Sequence, residues 1–200
     1  MITLRFALPN DAEALLDIYR PYVEETTVSF ETEVPSIAVF RQRIADISGL
    51  FPYLIAQENG EILGYAYAHP FHERAAFRWT VESSVYVRQD VRGRHVGKVL
   101  YDALLPLLRI QGIQTVCAVV TIPNDPSMAF HQAMGFREEG LLQNVGYKLG
   151  VWRSVAYLCL RLGPSNGEPP ALLGIHKLDP ELIAGILSDA TRNDTEGKAR

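Results

Sequence analysis

The stretch VYVRQDVRGRHVGKVL, Val85 to Leu100, restricts the fold more than any other part of the chain. An alternating apolar run ends in a basic turn punctuated by Gly93 and Gly97, and helix-forming residues follow at once. A strand that runs through a glycine-rich turn into a helix N-terminus makes an anion site. The first-turn N–H groups lack intrahelical acceptors there, and the helix dipole favours negative charge. The glycines let the backbone come close to a phosphate that side chains would keep away. Arg92, Arg94 and Lys98 would then screen the ligand's charge. A solvated charge run is the plain alternative; it accounts for the arginines but not for glycines at a strand–helix junction. A Walker loop is excluded because the glycine spacing is wrong and Val99 follows Lys98. A dinucleotide fingerprint is excluded because only two glycines are present and no early βαβ unit surrounds them.

The 200 residues suit one domain that buries roughly 70% of its unfolded surface. A formal net charge of −4 argues against a nucleic-acid binder, which ordinarily carries a basic excess, and no aromatic platform is interleaved with the arginines. No apolar stretch approaches the roughly 18 residues of a membrane span, and MITLRFALPND lacks the apolar core of a signal peptide. Cys117 and Cys159 sit inside apolar runs and read as reduced core residues. A soluble, cytoplasmic protein is expected.

The order of elements follows from periodicity and punctuation. ITLRFAL is a strand, and Asn10 with Glu13 has capping-box spacing for a helix that Pro21 should kink or stop. Ser36 to Ile47 gives a second helix. Asn59-Gly60 joins two apolar runs as a hairpin. RWTVESSVYV is a strand ending at the basic turn. GKVLYDALLPLLRIQG is a helix bent at Pro106 and closed by Gly112. QTVCAVVTI is a strand buried on both faces. PNDPSMAFHQAMGF is a helix capped by Asn124 or Asp125 and stopped by Gly135, and two closing strands end the domain (1–162) near Leu162. Residues 163–200 read as a linker, a short amphipathic helix with an apolar stripe at Leu182, Ile183, Ile186 and Leu187, and a frayed tail. The class is α/β with a mixed sheet.

The segment Arg92-Gly93-Arg94-His95-Val96-Gly97 resembles the pyrophosphate-binding signature of the GNAT-superfamily acetyltransferases, with His95 where a glycine is commoner. TVSFETE, WTVESSVYV, LPLLRIQG, PNDPSMAFHQAMGF and GYKLGVWRSV, in that order, are similar to blocks of the phosphinothricin N-acetyltransferase branch, over roughly Ile2 to Leu162. The resemblance implies the GNAT fold, a twisted mixed sheet with two splayed central parallel strands, one holding Val85-Tyr86-Val87 and the other Gln114 to Ile122. It implies acetyl-CoA as co-substrate and no metal. The pantetheine arm would hydrogen-bond the backbone of Val85 and Val87, the pyrophosphate would meet residues 92–98, and Asn124 would touch the cofactor or serve as a plain N-cap.

Acetyl transfer to an amine needs a base, stabilisation of the oxyanion and protonation of the thiolate. Glu82 stands in an otherwise apolar or small strand, where a carboxylate is expensive unless functional or paired; a salt bridge to Arg78 is the structural alternative. The resemblance makes Glu82 the catalytic base. It places His131 where many relatives carry a tyrosine general acid, although by spacing alone His131 reads as core. Tyr86 is a further candidate for orienting substrate or helping to protonate the leaving group. Phe30, His72 and Arg74 fall on substrate-binding positions of the branch. Arg74 and Arg78 suit a two-pronged grip on a carboxylate. His72 departs from the usual residue at its position, and Phe77 replaces a tyrosine.

The expected activity is N-acetylation of a small L-amino-acid-like acceptor of the phosphinothricin, methionine sulfoximine or methionine sulfone type, by a homodimer. A protein N-terminal acetyltransferase or a non-catalytic acyl-CoA sensor of the same fold are the alternatives.

Overall fold

In the computed structural model, which describes residues 1–164 and 166–197, the chain runs β1 (Thr3–Phe6), α1 (Ala12–Glu24), α2 (Ile37–Ser48), β2 (Tyr53–Glu58), β3 (Glu61–Pro70), β4 (Thr80–Val87), α3 (Val96–Ile110), β5 (Thr115–Ile122), α4 (Asp125–Ala133), β6 (Arg137–Lys148), β7 (Val151–Arg161) and α5 (Pro180–Gly197). The strands form one mixed sheet in the order β1-β2-β3-β4-β5-β7-β6, in which β4 and β5 are parallel and every other neighbour is antiparallel. Among the described residues no helix is long and apolar enough to cross a membrane.

Local chemistry explains the boundaries. Asn59 and Gly60 both take positive φ (52° and 85°) and turn β2 into β3, as the sequence predicts. Ser36 caps α2 through the amide of Val39. The start of α1 differs from expectation. Asn10 does not cap it; a 3-10 turn spans Pro9–Asp11, and the Asp11 carboxylate accepts from the Leu8 amide at 2.8 Å. Asp11 also takes both Arg5 guanidinium nitrogens, at 2.7 and 2.8 Å, which holds its carboxyl below the usual carboxylate range. A charged group with two donors outcompetes a neutral amide for the capping geometry. α1 continues through Pro21 rather than stopping there, and Pro106 lies inside α3 as expected.

Strand alternation sorts the core into two layers. Leu54, Ala56, Ala66, Ala68 and Val81 face α3, whose Leu100, Leu104 and Leu107 are fully buried. Tyr53, Ile55 and Tyr65 face α1 and α2, against Leu15, Tyr19, Phe40 and Ile44. Truncating a residue such as Leu104 to alanine should cost about 2–5 kcal/mol.

Cys117 and Cys159 correct the sequence reading: they form a disulfide. They are direct partners in the β5–β7 ladder with Cα atoms 4.2 Å apart, the close spacing of a pair that exchanges no backbone hydrogen bonds.

The C-terminal segment also differs from expectation. α5 continues to Gly197 where a short helix and a frayed end were expected; the expectation for residues 198–200 lies outside the described residues. α5 packs on α3 and β1, with Ile183, Ile186 and Leu187 against the α3-side core. The preceding segment is held by Trp79 Nε1 donating to Pro170 O (2.8 Å) and by Gln111 Nε2 donating to the carbonyls of Leu50 and Leu173 (both 2.8 Å).

Candidate active site

β4 and β5 pair only at Thr80–Thr115, Val81–Val116 and Glu82–Cys117, and beyond that point they part. Hydrogen bonding fixes which backbone groups face the gap. Arg88 N donates to Leu63 O and Thr80 O accepts from Phe71 N, so the even-numbered residues of β4 face β3. Trp79 O accepts from Gln114 and Thr115, so the odd-numbered ones face β5. The peptide groups of Val85 and Val87 therefore line the gap with no strand opposite them. Tyr22 occupies one of these positions, its hydroxyl donating to Val87 O at 2.6 Å. The cleft is walled by Ser83, Val85, Ala118, Val120, Asn124 and His131, with Val28 of the α1–α2 loop across it. That loop is pinned by Lys148 Nζ donating to Ser29 O at 2.6 Å and by a Tyr19–Ser29 hydroxyl pair at 2.5 Å.

At the open end of the cleft the chain turns into α3. Gly93 and His95 take positive φ (81° and 62°), and a Cβ on Gly93 would meet nothing within 4 Å. These twists bring the unbonded first-turn amides of Val96, Gly97 and Lys98 together at the helix start. Of the basic side chains, Arg94 ion-pairs with Glu58, Lys98 with Asp102 (2.6 Å), and Arg88 with Asp90 and Glu61. The Arg92 guanidinium lies 5.5 Å from the ring centre of Tyr22. Among the described residues, the first-turn amides and the Arg92 guanidinium are the groups at this turn without a hydrogen bond or ion pair.

Glu82 sits where the strands begin to part. Its side chain leaves β4 toward α1 and α2, and its Oε1 lies 3.9 Å from Nε2 of His69, its register partner on β3. Burial pushes its carboxyl pKa up, and nearby His69 and His72 offset part of that rise. Tyr86, two residues on, points to the same face. Its ring packs against Tyr19 (4.8 Å), Tyr22 (5.2 Å) and Tyr65 (5.5 Å).

His131 approaches from the other face. Its Nδ1 donates to Ser127 O (2.8 Å), so its Nε2 accepts from the Tyr101 hydroxyl (3.2 Å). Tyr101 in turn lies 3.0 Å from Ser83 Oγ. Burial lowers the His131 pKa and keeps the ring neutral, and burial raises Tyr101. Asn124 caps α4 through the Ser127 amide (3.3 Å) and also lines the cleft.

The remaining candidates lie apart. Phe30 packs against the bare face of Gly146 on β6. His72 sits between the rings of Phe71 (4.4 Å) and Phe77 (4.9 Å). Arg78 does not pair with Glu82; its guanidinium lies 4.0 Å over the Trp79 ring. Arg74 is exposed at the start of the Ala75–Phe77 turn.

Residues 4–154 match the family described as "Acetyltransferase (GNAT) domain". The chain belongs to this family. As a GNAT protein it is an N-acetyltransferase, with the mixed sheet and parted parallel strands of that fold. It is 37% identical over 156 residues to the phosphinothricin N-acetyltransferase of Streptomyces viridochromogenes, covering 78% of this chain and 85% of that one. It is 35% identical over 170 residues to the L-methionine sulfoximine/L-methionine sulfone acetyltransferase of Pseudomonas aeruginosa, covering 84% and 98%. The crystal structure of a phosphinothricin acetyltransferase from Sinorhizobium meliloti in complex with AcCoA superposes with a TM-score of 0.81 at 34% identity, over 84% of this chain and 93% of that one.

Sequence reading missed Ser83, Tyr101 and His69 in this GNAT site. Tyr101 falls on the apolar stripe of α3 and reads as core; only the packing shows its hydroxyl between a strand serine and a helix histidine. Ser83 did carry a signal, as a small polar residue on the buried side of β4.

Proposed function

We propose that this enzyme transfers the acetyl group of acetyl-CoA to the α-amine of a small L-amino acid, of the methionine sulfoximine, methionine sulfone or phosphinothricin type. One observation carries the reading: Glu82, its carboxyl pKa raised by burial, stands where β4 and β5 part, beside peptide groups with no strand opposite. The residues fit the co-substrate. The first-turn amides of α3 suit a pyrophosphate, and the Val85 and Val87 peptide groups suit an extended amide-bearing arm. Bound there, acetyl-CoA supplies an activated acyl carbon at the edge of Glu82.

Glu82 takes a proton from the acceptor's ammonium, directly or through water. The amine nitrogen bonds to the thioester carbonyl carbon, and the C–S bond then breaks. Of the two protons the ammonium gives up, one is balanced on the departing thiolate and one goes to solvent. On the thiolate side the Ser83 hydroxyl is the group placed to hydrogen-bond the developing thiolate. It is braced by Tyr101, whose own hydroxyl is held by Nε2 of His131 because Nδ1–H is fixed on Ser127 O. The proton that neutralises the thiolate is the one shed by the attacking amine, passed on through water. Tyr86 shapes the wall between the two halves. Arg74, assisted by Arg78, meets the acceptor's carboxylate, with His72 at a neighbouring contact position and Phe30 closing the far side.

In this reading the enzyme works in the cytoplasm as a homodimer. The β6–β7 hairpin supports the dimer: it leaves Leu141, Leu142, Val145, Tyr147 and Trp152 exposed beside a long edge strand. The test is thiol release from acetyl-CoA across a panel of free L-amino acids and their carboxamides. Free acids should be turned over and carboxamides poorly; equal rates would favour a peptide acceptor.

A further inference from the structure

The centre of the α1/α2 face has no part in the mechanism above. Tyr53 and Tyr67 stack with ring centres 4.7 Å apart, and Tyr53 and Tyr65 at 5.7 Å. With Tyr19 and Phe40 they wall a cavity of about 210 Å³, rimmed by the half-exposed Glu31, Arg43 and His69. At roughly 30 Å³ per water in the liquid, that space takes several heavy atoms.

Two observations point to a ligand. First, the Tyr53 and Tyr65 hydroxyls have no hydrogen-bond partner among the described residues, and neither is among the solvent-sealed unpaired atoms there, so both open onto the cavity although the residues are only 2% and 1% exposed. A phenolic hydroxyl that opens onto a cavity can donate to whatever fills it, a ligand oxygen or water. Second, the cavity leads to Glu82. His69 lines it and lies 3.9 Å from the Glu82 carboxylate, and Tyr67 and Tyr65 follow on the same face of β3. Each two-residue step along a strand covers about 7 Å, close to the reach of an amino acid from its α-nitrogen to the tip of a short side chain.

Apart from His69, the lining carries no net charge. Arg43 and Glu31 cancel each other in an ion pair of 2.5 Å, and burial keeps the phenols protonated, with Tyr67 pushed up to about 12.

We propose that this cavity is the acceptor's side-chain pocket, and that it selects L-amino acids whose side chain is uncharged and ends in hydrogen-bond-accepting oxygens. The proposal rests on the amino-acid acetyltransferase reading above and sharpens it: methionine sulfone and sulfoximine are preferred to phosphinothricin. Methionine sulfone and phosphinothricin have nearly the same shape, each ending in a tetrahedral atom with two oxygens and a methyl. The phosphinate is an anion. In this pocket it would be stripped of water beside an arginine already committed to Glu31. The sulfone oxygens accept from Tyr53 and Tyr65 without that cost. Unoxidised methionine fills the space but leaves both hydroxyls unpaired.

The experiment measures kcat/KM with L-methionine sulfone, L-methionine and phosphinothricin for the wild type, Tyr53→Phe and Tyr65→Phe, at saturating acetyl-CoA. The wild type should favour the sulfone over each of the others by at least about tenfold, because a site built for hydrogen bonds rejects analogues that lack them. The sulfone-to-methionine ratio should fall in at least one variant. Loss of a hydroxyl keeps the ring stack, so both variants should fold, and either one alone suffices for the test. Phosphinothricin turned over as well as the sulfone, or a ratio unchanged in both variants, overturns the pocket. If the wild type binds acetyl-CoA but acetylates no free amino acid, the functional reading fails and the pocket with it.

Discussion

Glu82 and Ser83 are consecutive on β4, so their side chains leave the sheet on opposite faces: the carboxylate toward His69, the hydroxyl toward Tyr101. Both lie where β5 departs. A cleft passing through the sheet at that point has a raised-pKa carboxyl on one side and a neutral hydroxyl–imidazole chain on the other. That division separates the group that receives the acceptor's proton from those that serve the leaving thiolate.

Replacing Glu82 with glutamine should lower kcat by on the order of 10²–10⁴ while leaving acetyl-CoA binding nearly intact. The wild-type profile adds a sign. Burial raises the Glu82 pKa, and only the ionised form is a base. The acid limb of kcat/KM should therefore lie above the usual carboxylate range, with activity falling as pH drops through it. A limb at an ordinary carboxylate value, or one that persists in the glutamine variant, would count against Glu82.

His131 gives a stability prediction. Its folded-state pKa is lowered, chiefly by burial, so the unfolded chain binds the proton more readily. Its contribution to stability is present above about pH 6.5, the unfolded value, and is lost as pH falls through the depressed folded value. Urea denaturation at several pH values should show this slope in the wild type and a shallower one in His131→Asn. Equal slopes would mean that His131 is not buried neutral.

The parts of this molecule legible in the sequence are those set by neighbours in the chain. The Asn59-Gly60 hairpin, the Ser36 cap and the strand–turn–helix at Gly93 depend on residues a few positions apart. The expected cap at Asn10 fails because Arg5, the deciding partner of Asp11, lies on the preceding strand. Cys117 and Cys159 look like core residues until the β5–β7 register sets them opposite each other. In the site, Glu82 was legible as a carboxylate out of place in an apolar strand. Tyr101 was not, because its partners come from β4 and α4. The tyrosine cavity was hidden for the same reason: Tyr53, Tyr65 and Tyr67 look like ordinary alternation until α1 and α2 roof them.

Gly93→Val should reduce the thermal protection given by acetyl-CoA. The position is open, so no clash arises; the cost is the φ of 81°, which a β-branched residue adopts only with strain. Relaxing that strain turns the α3 amides away from the phosphate. Differential scanning fluorimetry with and without acetyl-CoA checks this, and full protection in the variant would count against the turn as the pyrophosphate site.

Trp152→Glu places a charge on the exposed apolar hairpin, where it touches no core residue, so the monomer's own stability should change by under about 0.5 kcal/mol. Sedimentation should show the wild type as a dimer and the variant shifted toward monomer. A monomeric wild type at micromolar concentration would contradict the homodimer.

Identifying the product decides whether this enzyme acetylates a free amino acid. L-methionine sulfone and acetyl-CoA are incubated with the enzyme, and both the released thiol and the acetylated product are quantified by mass spectrometry. One thiol should be released per N-acetyl-L-methionine sulfone formed, with product formation by Glu82→Gln lower by on the order of a hundredfold or more. Thiol release without an N-acetylated amino acid, or acetylation of peptide N-termini but of no free amino acid, would contradict that activity.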